Sequence, residues 1–130
     1  MKDENNNSVW IAVRRCLEID IINGVYESGK KVPSINEVSA KFNISYTTAK
    51  KVLQRLEEDG VLLGKRGKGY FVRPFMGEQL KENMMMELEE EVKKTVQVAS
   101  QILEADTFRE IVEKQIMLHY STQEDKEKDI

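Results

Sequence analysis

The sequence predicts a mainly α-helical protein with a small β-wing, arranged as an N-terminal winged helix-turn-helix followed by a C-terminal helical hairpin. Three observations predict it. Two short amphipathic segments, each opened by a helix-capping serine, stand only a few residues apart between positions 34 and 60. Directly after Gly60 the apolar period switches from 3.6 to 2 across a glycine-rich, basic loop. From Glu78 to the C-terminus there is neither Gly nor Pro, and apolar residues recur every three or four positions.

The first helix is expected to start at Ser8 as N-cap, with residues 1–7 frayed. Trp10, Val13, Leu17 and Ile21 form its apolar stripe, Arg14 and Arg15 fall beside it, and Cys16 and Ile22 pack at its margin. Asn23-Gly24 closes it, since glycine takes the left-handed position after a helix readily. Pro33 then blocks helix, leaving Lys31-Val32 as a short extended piece. Ser34-Ile-Asn-Glu37 spells a capping box for a short helix with Ile35, Val38 and Phe42 inward, ending at Asn43. Ser45 opens the next helix, whose inner face is Ala49, Val52, Leu53 and Leu56 and which Gly60 ends. Two helices joined this closely make a helix-turn-helix, in which the second usually enters the DNA major groove. Val61–Leu63 and Tyr70–Val72 then read as a hairpin with Gly64-Lys-Arg-Gly-Lys-Gly69 at its tip.

The domain boundaries expected are a winged helix-turn-helix over 1–76, a two-helix region over 77–120 and a disordered, charge-dense tail over 121–130. Leu80, Met84, Leu88, Val92, Val96, Ala99 and Leu103 mark one long helix. Thr107-Phe-Arg-Glu110 reads as a second capping box, opening a last helix with Phe108, Ile111, Val112 and Ile116. A lone helical hairpin cannot bury both apolar faces on one small domain. Leu80, Met84, Leu88, Val92, Val96, Leu103, Phe108 and Ile111 are therefore expected to pair with a second copy in a homodimer.

Charge separates the same two regions. Residues 1–76 carry 13 Lys/Arg against 9 Asp/Glu, a surplus of four positive, whereas residues 77–130 carry 7 against 14. Residues 41–73 hold eight cations against Glu57, Glu58 and Asp59. A basic part joined to an acidic one fits a DNA reader with a separate assembly element, although a merely solvated charged surface reads the same way on charge alone. In the wing, glycines allow close approach to phosphate, and Lys65, Arg66 and Lys68 supply charge.

Other function classes find little purchase. No nucleophile–base pair, phosphate-binding loop or zinc spacing is present, and His119 has no Cys or second His nearby, so neither an enzyme, a metal site nor a cofactor is expected. No apolar run approaches the ~20 residues that span a bilayer. A single cysteine and a polar N-terminus without an apolar secretion core point to the cytoplasm. The cluster Met84-Met-Met86 leaves a ligand-lined interface open beside a plain dimer core, and so a small-molecule effector. A winged helix used only for protein contacts is the remaining alternative.

The run from Val32 to Gly60, with its Pro33-Ser34, Thr47-Thr48 and Leu56-Glu-Glu-Asp-Gly60 pieces, resembles the N-terminal domain of GntR-family transcriptional regulators. The likeness extends back to Ile22-Asn-Gly24 and forward through Gly67-Lys-Gly-Tyr-Phe-Val72, about half the chain. The short remainder is similar to the YtrA subfamily, whose C-terminal part is two dimerising helices, with Val98–Phe108 similar to its helix junction. The resemblance implies double-stranded DNA as partner and regulation of an adjacent operon, often a transporter operon; repression is the expected output because a bound dimer would compete with RNA polymerase at a promoter. The resemblance also implies DNA-facing roles for Thr47, Thr48, Lys50, Arg66 and Gly67; Asn36, Ser45, Tyr46, Lys51, Gln54, Lys65 and Lys68 are the other candidate DNA-binding residues by position and charge, with a structural capping role also open for Ser45. For Thr47 and Thr48, contact and capping support are both open. Asn36 and Tyr46 stand where many members have arginine, and neither can make the bidentate guanine contact.

Overall fold

A computed structural model describes the backbone of residues 2–128 and the side chains of residues 8–120. The elements in order are α1 (Lys2–Ile22), α2 (Ile35–Phe42), α3 (Tyr46–Glu58), β1 (Leu62–Lys65), β2 (Gly69–Val72), α4 (Met76–Ile102) and α5 (Ala105–Lys128). They fall into two compact units, residues 1–85 and 86–130. Among the described residues no helix is long and apolar enough to cross a membrane.

The first unit is built around α3. Ala49, Val52, Leu53 and Leu56 are all buried, as the period of the sequence requires, and they meet Val13, Leu17 and Ile21 of α1 and Val38 of α2. Leu62 and Val72, opposite each other in the hairpin, close the core from the side. Burial of this apolar surface, worth about 25 cal/mol per Å2, holds the three helices and the wing together.

The helix ends follow local chemistry. α1 stops in a Schellman arrangement, with Val25 N–H donating to Asp20 O and Gly24 N–H to Ile21 O. Ser34 caps α2 by accepting from Glu37 N–H, and the Glu37 carboxylate accepts from Ser34 N–H, each at 3.1 Å. Asn43 terminates α2 in the left-handed region, and Ile44 N–H reaches back to Ser39 O. Residues 29–32 run beside β2, where Val32 N–H donates to Tyr70 O and Lys31 bridges Phe71. The expected extended piece thus pairs along the edge of β2 that faces away from β1.

Several expectations are corrected. α1 begins at Lys2, so Ser8 lies inside the helix and does not cap it; residues 2–7 contain no helix breaker, and Met1 lies outside the described residues. Cys16 is exposed, on the side of α1 away from the core. α5 starts at Ala105, with Phe108 N–H donating to Glu104 O, so Thr107 sits in its first turn and forms no capping box. The helix continues to Lys128 through the charge-dense segment, whose Gln, Glu and Lys residues are good helix formers; residues 129–130 lie outside the described ones.

Leu80 is the largest change of role. It is buried in the core of the first unit with Met76 packed beside it, instead of lying on the assembly stripe. For that reason the division of the chain comes after Met85 and not at 76.

The second unit has almost no interior of its own. Ala99 is buried and Leu103 and Phe108 are half-buried at the junction of α4 and α5, and among the described residues the other apolar side chains of this unit are exposed. Met86 is 70% exposed, Leu88 62% and Ile102 75%, with Val92, Val96, Ile111, Ile116 and Met117 similarly open.

Candidate nucleic-acid interface

α3 presents two faces. Opposite its buried stripe, Thr47, Lys50, Lys51 and Gln54 follow one another at i, i+3, i+4 and i+7, and all four are exposed. At the helix start, Ser45 Oγ accepts from Thr48 N–H at 3.1 Å and lies 2.9 Å from Thr48 Oγ1. Ser45 and Thr48 therefore hold the end of the helix for each other, while Thr47 alone of the two threonines is turned outward. Tyr46, 51% exposed, stands at the same end. Asn36 is exposed in the first turn of α2.

The wing is shorter at its tip than expected. β1 and β2 pair from Leu62↔Val72 to Lys65↔Gly69, leaving Arg66, Gly67 and Lys68 as the loop. Lys68 N–H donates to Lys65 O, and Gly67 has φ 76°, the positive value that the third position of a type II turn needs. Arg66 and Lys68 project from this tight turn. Lys65 does not share their freedom, because its ammonium lies 4.5 Å from the centroid of the Phe71 ring.

Several contacts that residue types alone do not reveal shape the surface. The Lys51 ammonium and the Arg55 guanidinium both lie over the Trp10 ring, at 5.6 and 5.7 Å from its centroid. Lys51 thus lies at the edge of the outward face of α3 nearest α1. The Glu57 carboxylate accepts from Gly64 N–H at 2.6 Å, joining α3 to the wing. Burial, together with nearby Glu57 and Tyr46, pushes the Tyr70 phenol above its ordinary range and keeps it neutral. Trp10 was legible as a stripe residue but not as a cation platform; its signal was a lone aromatic on the α1 stripe in a chain rich in cations.

In the second unit the structure leaves Leu88, Val92, Val96 and Ile111 exposed and Met84 half-buried in the first. A groove of about 510 Å3 at the α4–α5 junction is lined by Val96, Ala99, Leu103, Phe108 and Val112, with Ser100 and Arg109 at its margin. The methionine cluster does not line it. Among the described residues no three His, Cys, Asp or Glu side chains gather to hold a metal ion.

A three-helix core, an exposed polar and cationic face on its third helix, and a cationic two-stranded wing together define a winged helix-turn-helix domain of the DNA-reading class. Residues 12–72 match the family described as "Bacterial regulatory proteins, gntR family". The chain is 40% identical over 65 residues to the "Probable fructoselysine utilization operon transcriptional repressor" of Escherichia coli K12, covering 50% of this chain and 27% of that protein. It is 38% identical over 72 residues to the "Uncharacterized HTH-type transcriptional regulator YurK" of Bacillus subtilis, covering 53% of this chain and 30% of the other. The matched stretch thus spans less than a third of the length of these curated relatives. A solved GntR family transcriptional regulator from Listeria monocytogenes shares the fold more widely, with a TM-score of 0.68 at 23% identity over 82% of this chain and 93% of that one.

Proposed function

We propose that the protein is a sequence-specific DNA-binding transcriptional regulator, a repressor that acts in the cytoplasm as a homodimer on a two-fold symmetric operator. The observation that carries this reading is the outward face of α3, with Thr47, Lys50, Lys51 and Gln54 exposed beside a wing tipped by Arg66 and Lys68, on a stretch that matches the gntR family. In this reading α3 enters the major groove. Thr47, Lys50 and Gln54 meet base edges or phosphates there, and the wing tip meets flanking phosphates. With Tyr46 and Asn36 unable to grip guanine in two places, adenine, thymine methyl and phosphate are the partners open to them.

The homodimer is supported by the bare apolar stripe of the second unit. Leu88, Val92, Val96, Ile111 and Ile116 would cost free energy in water, and a second copy of the same two helices offers a matching face. Such a two-helix region after the wing is what suggests the YtrA-like subfamily. Repression is supported by the name of the Escherichia coli relative. Should a small-molecule effector exist, the junction groove at Leu103 and Phe108 is the place for it.

The test is a fluorescence-anisotropy titration with duplex DNA from upstream of the protein's own gene, against scrambled duplex, at several salt concentrations. The expected result is a clear preference for the upstream DNA, with log K falling as log salt rises by about 0.9 per phosphate contacted. No binding to any duplex at low salt would overturn the reading and favour a protein-binding adaptor.

A further inference from the structure

We propose that Glu57 is a positioning residue for DNA binding, a latch that sets the angle of the wing against the recognition helix; this rests on the DNA-binding reading above. The backbone pattern makes the latch necessary. Val61 O accepts from Arg73 N–H, and the register runs Leu62↔Val72 and Gly64↔Tyr70. The amide of Gly64 therefore points away from β2, to the free edge of the sheet, where it needs an acceptor. Glu57 Oε2 supplies one at 2.6 Å from the last turns of α3.

The surroundings explain why the tie sits there. Leu62 and Val72 anchor the base of the wing in the core and Tyr70 packs partly against it, but Lys65 to Lys68 at the tip lie beyond it, and on the β1 edge the Glu57 bond is the tie nearest that tip. A notch of about 360 Å3, lined by Glu57, Gly64, Arg66 and Tyr70, lies between α3 and the distal wing. The Glu57 carboxylate spans that notch. A Cβ at position 64 would collide with this carboxylate and come within 3.3 Å of the Tyr70 ring, so glycine is what leaves the latch its room.

The residue type also argues for the role. Glu57 is an acid on a segment that carries eight cations, and beside phosphate its charge is unfavourable. A carboxylate makes a stronger hydrogen bond to an amide than a neutral acceptor does, which suits an exposed tie that must hold. With the latch closed, Arg66 and Lys68 are presented at one fixed angle to α3. With it open, the distal hairpin swings and both cations lose their phosphates.

The experiment uses the full chain and measures the slope of log K against log salt for wild type, E57A, E57Q, G64A, R66A/K68A and E57A/R66A/K68A, on the upstream duplex. Removing two phosphate contacts lowers the steepness of the slope by about 1.8. The expected result is that E57A and G64A lower it as much as R66A/K68A does. E57A should add nothing on top of R66A/K68A, and E57Q, whose amide oxygen still accepts from Gly64, should restore the slope. Amide exchange at Gly64 should quicken in E57A while core amides keep their protection, which separates a lost latch from a lost fold. Tighter binding and a steeper slope in E57A would mean that Glu57 only repels phosphate, and would overturn the proposal. So would an unchanged slope with a lowered melting temperature. If wild type binds no duplex, the DNA-binding reading itself fails.

Discussion

Arg14 of α1 reaches Asp59, the residue that caps α3, with its guanidinium 2.5 Å from the carboxylate, while its Nε lies 3.3 Å from Glu18 one turn along its own helix. One planar group thereby ties α1 to the end of α3. Arg14 is mostly covered and Asp59 about half exposed, so the pair is screened less than an ordinary surface bridge. Replacing Arg14 by Ala should cost about 1.5 kcal/mol in urea denaturation, the low end of the range for hydrogen bonds to charged groups because Asp59 is half exposed. Arg14→Lys should recover only part of this, since an ammonium cannot fork to both acids. A double-mutant cycle with Asp59→Asn that showed no coupling would remove the tie from the account.

The wing cations are not equivalent. Lys65 is held over Phe71, whereas Arg66 stands on the turn itself. Arg66→Ala and Lys50→Ala should each weaken binding to the upstream duplex, by roughly tenfold for a lost charged contact of about 1.4 kcal/mol, with dimerisation unchanged. Lys65→Ala should weaken it less. Anisotropy at physiological salt decides the order, and equal losses at all three positions would contradict the stacked role of Lys65.

What the sequence revealed was whatever depends on a few neighbouring residues. Ser34 and Glu37 formed the expected box because both halves of it lie within one helical turn. The same four-residue pattern at Thr107 and Glu110 misled, because a box needs a break in the backbone just before it, and the break falls at Leu103-Glu104. Leu80 was misplaced for a related reason. The apolar period runs unbroken through α4, and periodicity says which residues share a face but not what covers each of them. Glu57 read as one acid among cations, since its partner is a backbone amide, which leaves no trace in residue type. Cys16 showed how little a stripe margin determines: one step around the helix separates packed from exposed.

The bare stripe of the second unit yields a third prediction. Val92 and Val96 are one turn apart on α4 and both exposed. If a second copy covers them, Val92→Asp with Val96→Asp should convert a sedimenting dimer into a monomer, because a buried unpaired carboxylate is strongly unfavourable. The melting of the winged unit should hardly change, since neither residue belongs to its core. Binding to a two-fold operator should weaken far more than binding to a half-site. A dimer that survives the double substitution would place the interface elsewhere.

The capping box at α2 carries a pH signature. Glu37 is held below the usual carboxylate range first by the hydrogen bond from Ser34 N–H, then by the Ser34 side chain, with Lys31 adding a smaller favourable charge against slight desolvation. A carboxyl whose pKa is lower folded than unfolded stabilises the fold fully above its unfolded value, and that contribution fades as pH falls through the folded one. Glu37→Gln should therefore be less stable than wild type at neutral pH, and the two should converge as pH drops below the ordinary value of 4.5. Ser34→Ala removes the N-cap itself and should cost about 1 kcal/mol at neutral pH. Because α2 supports α3 through Val38, this loss should appear in the global unfolding transition and not as local fraying alone. Urea midpoints at pH 7 and pH 3.5 for the three proteins decide the matter. A gap between wild type and Glu37→Gln that stays constant across that range would show that the carboxylate charge contributes nothing to the box.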